Sequence, residues 1–247
     1  MRLCEFYNKP QPLTEGGSMP GVGAIHISEI DPTLAPLEKR LGIDLRNNTL
    51  GSVGKREFSG DIDVALKIDR KDLPEFVQRL NNTPEILDVR QSSVIMTKVQ
   101  IQNYDQSKSD GRPRTGFVQI DFMPGDPEWL KTFYHSPREQ DSKYKGNMRN
   151  ILLSVMAGAL GRKDSPEKTP DGRPMESVRY LWSAADGLVK IRRTPVPKKS
   201  GEGYTKQNKN EIIDGPWRKP GDIAKQMRLD SPADLDSYET LVAAMER

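Results

Sequence analysis

The stretch Leu50 to Lys67, LGSVGKREFSGDIDVALK, decides how the rest of the chain is read. It holds a Gly-Ser turn at Gly51 and Ser52, the basic pair Lys55 and Arg56, and two aspartates separated by a single isoleucine. Neighbouring side chains on an extended strand point to opposite faces, so Asp61 and Asp63 project to one side and Ile62 and Val64 to the other. Val64-Ala65-Leu66 then reads as the buried end of that strand. Magnesium takes oxygen ligands and is held by one or two carboxylates together with its substrate's phosphates. Two carboxylates beside a Gly-Ser turn able to hold those phosphates suit two-metal phosphoryl-transfer chemistry. A P-loop is excluded, because that motif needs a glycine five residues before the Gly-Lys pair and Thr49 stands there.

The segment GSVGKREFSGDIDVAL resembles the palm signature of the DNA polymerase beta nucleotidyltransferase superfamily, in which Gly-Ser, a basic residue and Asp-x-Asp follow in this order. The resemblance covers roughly residues 37–193. It implies an α+β fold: a polymerase beta-like nucleotidyltransferase palm, with a mixed sheet and flanking helices, to which a small C-terminal helical appendage is added. It implies a third carboxylate on a later strand, and TGFVQIDFMP (115–124) supplies Asp121 within a β-favouring apolar run. Carried over, Asp61, Asp63 and Asp121 would be catalytic and bind Mg2+ or Mn2+. Gly51, Ser52, Ser59 and Gly60 would line the triphosphate site, with Lys55 neutralising an NTP or dNTP. The family often has arginine two residues before the third aspartate; here Gln119 stands there. KGNMRNILLSVMAGALG (145–161) is similar to the helix that follows the active site, with Met148 and Arg149 matching and Lys145 in place of the expected asparagine. EIDPTLAPLEKRLGIDL (29–45) and Asp126-Pro127-Glu128-Trp129 are also similar to nucleotidyltransferases of tailed bacteriophages, which implies the host cytoplasm.

The 247 residues include 38 Lys and Arg against 35 Asp and Glu, a net charge of +3, so any nucleic-acid surface must be local. Arg192, Arg193, Lys198 and Lys199 are the candidates, with Arg149; Tyr180 and Trp182 nearby suit either base stacking or core packing. The single cysteine, Cys4, forms no internal disulfide and suits a reducing compartment. His26 and His135 lack the partners of a zinc site. No apolar run approaches the roughly 18–20 residues of a membrane span, and the expectation is a cytoplasmic protein.

Four segments are expected: an N-terminal arm (1–28) dense in Pro and Gly, the palm (29–193), a mobile basic loop (194–220) and C-terminal helices (221–247). Asp31-Pro32 predicts a helix start, with Leu34, Leu37 and Leu41 on its buried face and Gly42 closing it. Residues 45–50 and 61–68 predict the palm strands, 71–81 a helix, and 94–102 a strand. Ile151, Leu152, Val155 and Leu160 are expected to face the core from the 145–160 helix, and residues 179–193 to form a hairpin around Ala185-Asp186-Gly187. Helices are expected over 222–227 and 232–245.

The reading is a metal-dependent nucleotidyltransferase moving a nucleoside monophosphate onto an acceptor hydroxyl, RNA or DNA included. No helix-hairpin-helix or lyase segment is recognisable before the palm, which disfavours template-directed gap filling. Transfer to a protein or small molecule fits as well. The rival class is a non-catalytic nucleic-acid-binding or virion-associated protein with the same palm. Three acids gathered without a cation would be destabilising, which argues against it.

Overall fold

The computed structural model describes residues 18–112, 114–163, 177–198 and 204–247. The chain forms two compact units, Met1–Pro124 and Gly125–Arg247.

In the first unit, β1 (Ile25–His26) leads into α1 (Ile27–Leu41), followed by β2 (Phe58–Ser59), β3 (Ile62–Leu66), α2 (Leu73–Asn81), β4 (Ile86–Gln91), β5 (Ile95–Gln100) and β6 (Phe117–Pro124). A mixed four-stranded sheet has the order β3-β6-β5-β4, with β3 parallel to β6 and the other pairs antiparallel. Strict alternation sorts its residues. Ile62, Val64, Val118, Ile120, Phe122, Ile95 and Val99 join Leu34, Leu37 and Leu41 of α1 and Phe76 and Leu80 of α2 in one core. The intervening Asp63, Gln119, Asp121, Met96 and Lys98 fall on the opposite face of the pleat.

The start of α1 departs from the sequence expectation. His26 is the N-cap and forms a reciprocal capping box with Glu29, which places Pro32 and Pro36 inside the helix. Satisfying two amide donors five residues upstream outweighs the helix bonds that the two prolines cannot make. Glu29 is also bound to Arg114 at 2.6 Å, the two side chains being 1% and 4% exposed. Arg114 in turn donates to the carbonyls of Asp105 and Lys108 and lies 4.8 Å over the Tyr104 ring. The loop before β6 is thereby tied to the first turn of α1. The expected strand over 45–50 reduces to a 3-10 turn at Arg46–Asn48 and a single bridge, Thr49 to Val64.

In the second unit, α3 (Pro127–Phe133) and α4 (Gly146–Lys163) precede β7 (Ser177–Ser183), β8 (Gly187–Pro197), β9 (Tyr204–Trp217), α5 (Pro220–Met227) and α6 (Tyr238–Met245). The three strands form one antiparallel sheet, β7-β8-β9. Trp129, Trp182, Leu153, Ala157, Leu188, Ile223, Met227, Leu235 and Leu241 make its core. A Cβ at Gly161 would collide with Val178 O and Arg179 Cα, so glycine permits the close approach of α4 to β7.

Three expectations are corrected here. Within the basic segment 194–220, the described residues are largely strand rather than loop: 194–197 complete β8, 204–217 form β9 and Pro220 opens α5, while 199–203 lie outside the described residues. Antiparallel pairing with β8 gives one side of β9 its backbone partners, and the described residues 209–216 are exposed, as befits the edge strand of a sheet. On α4, Leu152 and Leu160 pack against the core as expected, but Ile151 and Val155 are exposed, and Leu153 and Ala157 are its buried residues. The last helix is broken into Pro232–Leu235 and α6, because Ser237 caps a fresh start.

Candidate active site

Asp61 and Asp63 stand at the head of β3, and in the parallel ladder Asp63 lies directly beside Asp121 of β6. All three fields overlap: Asp61 and Asp121 both act on Asp63, and Asp61 acts on Asp121. Burial first, then the charges of Asp61 and Asp121, push Asp63 up to about 7. Burial also raises Asp121, a hydrogen bond from Gln119 opposes it, Asp61 adds to it, and the group stands at about 6. Both acids therefore hold protons more tightly than free carboxyl groups do, and a nearby cation would favour their ionised forms.

The Gly-Ser turn adjoins the same carboxylates. Gly51 has φ +64, and a Cβ there would come within 3.7 Å of Asp63 Oδ2. Leu50 N donates to Asp63 O, and the turn closes through Lys55 N donating to Ser52 O. Lys55 and Gly60 are half-buried close to this turn in the chain. Ser59 is buried in the β1–β2 ladder, two residues before Asp61, and its hydroxyl has no hydrogen-bond partner there.

Among the described residues, no three His, Cys, Asp or Glu side chains close a metal shell by themselves. Magnesium does not need such a cage, since it keeps waters and takes substrate phosphates as ligands. An all-oxygen donor set in which burial and neighbouring carboxylates disfavour the negative charge of two members fits a hard divalent ion.

Of the expected nucleic-acid contacts, Arg192 is exposed on β8, 3.6 Å from Glu211, and Lys198 is exposed just beyond it. Arg193 is half-buried, and Lys199 lies outside the described residues. Arg149 is corrected: at 2% exposure it donates to the carbonyls of Leu235, Thr132 and Phe133, so it braces the second unit from within. Its solvation was sacrificed for three carbonyl bonds, which no sequence pattern reveals. Trp182 packs in the core against Trp129 and Phe133, and His135 lies 2.9 Å from Asp236.

No protein-family model and no curated protein sequence matches the chain. Among solved structures, a ternary gap complex of Leishmania infantum polymerase beta is similar at 16% identity and a TM-score of 0.50, over 87% of this chain and 71% of that one. The fold is polymerase beta-like. A second structure of the same enzyme, a ternary P/T complex, is similar at 15% identity and a TM-score of 0.48, over 87% of this chain and 77% of that one. A polymerase beta-like chain at this distance shares architecture, and its carboxylates must be argued from their own geometry. The sequence anticipated the three aspartates but not the segment before β1. Ser18 to Gly23 lies against the carboxylate-bearing face of β5 and β6, through Met19, Pro20 and Gly21. No helical or alternating period marks it, and only its proline and glycines were visible.

Proposed function

We propose that the chain is a metal-dependent nucleotidyltransferase that moves a nucleoside monophosphate from an NTP or dNTP to an acceptor hydroxyl. The observation that carries this reading is the ladder pairing of Asp63 with Asp121 beside Asp61, three acids whose mutual repulsion asks for a cation. Asp61, Asp63 and Asp121 would hold one or two magnesium or manganese ions. Such ions supply positive charge to the entering and leaving oxygens of an in-line displacement. Gly51 and Ser52 cradle the triphosphate next to Asp63, and Lys55 offsets its charge. Gln119 occupies Asp121 Oδ1, which leaves Oδ2 for the ion or for the proton of the acceptor hydroxyl. The acceptor oxygen bonds to the α-phosphorus as the bond to pyrophosphate breaks.

The similar polymerase structure is a gap complex, which supports a nucleic-acid acceptor for this chain. Exposed Arg192 on β8 and Lys198 just beyond it would supply phosphate contacts of the sequence-independent kind. Transfer to a protein or small molecule is the second outcome of the same test. The likeness to phage enzymes rests on residues 29–45 and 126–129, and a role in the host cytoplasm would follow from it. Among the described residues, no helix is long and apolar enough to cross a membrane.

The test is a screen of labelled NTPs and dNTPs with magnesium or manganese against single-stranded RNA, primed DNA and protein acceptors. Label transferred to one acceptor class is expected. Absence of both transfer and nucleotide binding with either metal overturns the proposal and leaves the non-catalytic reading. Within the same assay, Lys55→Ala is expected to weaken triphosphate affinity by about tenfold or more, the scale of a lost charge-assisted hydrogen bond. Equal affinity in the two proteins would remove Lys55 from the site.

A further inference from the structure

On the carboxylate face of the first unit, the chain before β1 is bound at five points. Ser18 Oγ reaches Met96 Sδ at 3.5 Å, Met19 N donates to Gln119 Oε1 at 2.9 Å, and Lys98 Nζ donates to Pro20 O at 3.2 Å. Thr115 Oγ1 donates to Gly21 O at 3.0 Å, and Gly23 N to Phe117 O at 2.8 Å. Met96, Lys98 and Gln119 share a face with Asp121, since Met96 pairs with Asp121 and Lys98 with Gln119 in the β5–β6 ladder.

The contact at Gln119 has a direction. A backbone N–H can only donate, so Met19 fixes the amide oxygen of Gln119 toward itself and turns the amide nitrogen the other way. That nitrogen donates to Asp121 Oδ1 at 2.8 Å. Gln119 is 2% exposed and Met19 3%, so neither partner has water as a substitute. A relay whose first two members are sealed from water holds the Gln119 amide in one geometry.

We propose that Ser18–Gly23 is a positioning strap for the third carboxylate, acting through the Gln119 amide, and that Gln119 is a positioning residue of the metal centre. This rests on the proposed role of Asp61, Asp63 and Asp121. The strap sets which oxygen of Asp121 is bonded and which is left for the ion. It also gives a neutral means of holding that carboxylate, one that leaves the full negative charge of Asp121 to its ligand. Gly21 suits the strap through its backbone, whose φ of +70 strains any residue with a side chain; a Cβ there would meet only the mobile end of Lys98, at 2.8 Å from Nζ.

The experiment is a Mn2+ titration followed by the loss of the free-ion electron paramagnetic resonance signal, on wild type, Gln119→Leu, Gln119→Glu and Gly21→Ala, with melting temperatures measured in parallel. Wild type is expected to bind. Gln119→Leu is expected to bind about tenfold more weakly, the low end of the effect seen for groups that orient metal ligands. Gln119→Glu keeps the bond from Met19 but cannot donate to Asp121, and should fall at least as far as the leucine variant if donation is what matters. Gly21→Ala touches neither Gln119 nor Asp121 and should weaken Mn2+ by a few-fold while the protein stays folded at the assay temperature. Wild-type affinity in Gln119→Leu or in Gln119→Glu overturns the role of Gln119. Wild-type affinity in Gly21→Ala alone overturns the strap. If wild type itself binds no Mn2+, the metal centre fails and this inference with it.

Discussion

Asp63→Asn is expected to give a protein that is more stable than wild type without metal at neutral pH and inactive with it. The native state raises the Asp63 carboxyl from 3.8 to about 7 and Asp121 to about 6, so it binds their protons more tightly than the unfolded chain does. The stability that these protons contribute is complete below about pH 4 and is lost as pH rises toward 6 and 7, at about 1.4 kcal/mol per pH unit for each proton. Metal-free wild type should therefore weaken over that window. Asp63→Asn removes the most strongly shifted group and lowers the charge beside Asp121, so its stability curve should be flatter there. Divalent metal reverses the comparison: it should raise the wild-type melting temperature by mass action and leave the variant almost unmoved. Transfer should fall about a thousandfold or more, since the group lost would hold the ions that offset the developing charge. Thermal melts between pH 4 and 8, with and without magnesium, read both effects. Parallel curves for the two proteins would mean that Asp63 carries no special load in the native state.

Glu29→Gln should cost about 3–5 kcal/mol, the usual consequence of removing one partner from a buried ion pair. Glu29 Oε2 accepts from Arg114 and from His26 N, and Oε1 accepts from Asp105 N. Burial alone would raise its carboxyl, but the Arg114 hydrogen bond, the two amides and the charge of Arg114 prevail and hold it below the usual carboxylate range. Its contribution is present at neutral pH and is lost on acidification below about 4, opposite in sign to that of Asp63. Replacing both partners, as Glu29→Leu with Arg114→Met, should recover part of the loss, because no charge is left buried. A urea midpoint unchanged in Glu29→Gln would show that the pair is not sealed from water. The two acids together predict a metal-free protein most stable in mildly acidic solution.

The palm was legible because its pattern is local. Ile62 and Val64 alternate with Asp61 and Asp63 within a few residues, and Ile120 and Phe122 bracket Asp121 in the same way, so period and chemistry point to one face at once. What was not legible depends on partners distant in sequence. His26 caps α1 only because Glu29 answers it, and Pro32 looked like the better start. Arg149 matched a family position, but its burial is decided by the carbonyls of Leu235 and Thr132, which no local window contains. Residues 204–217 have the composition of a linker, and became a strand because β8 offers them backbone partners along one side. Met19 and Gln119 are equally silent in sequence, each an ordinary residue until the other is placed.

The position of β3 in the sheet has a further consequence. It is an edge strand, attached to β6 along one side and steadied on the other by the Thr49 bridge and the Leu50 to Asp63 backbone bond, whereas β6, β5 and β4 form a continuous antiparallel meander of their own. Sub-global opening follows such divisions, with the less anchored element detaching first. When β3 peels away, Asp61 and Asp63 leave together and Asp121 stays behind with the meander. The two halves of the acidic cluster thus belong to different cooperative segments, and their repulsion acts as a spring that drives β3 outward whenever no cation bridges them. A divalent ion would then work as a clasp across the seam, slowing amide exchange in β3 more than anywhere else in the sheet.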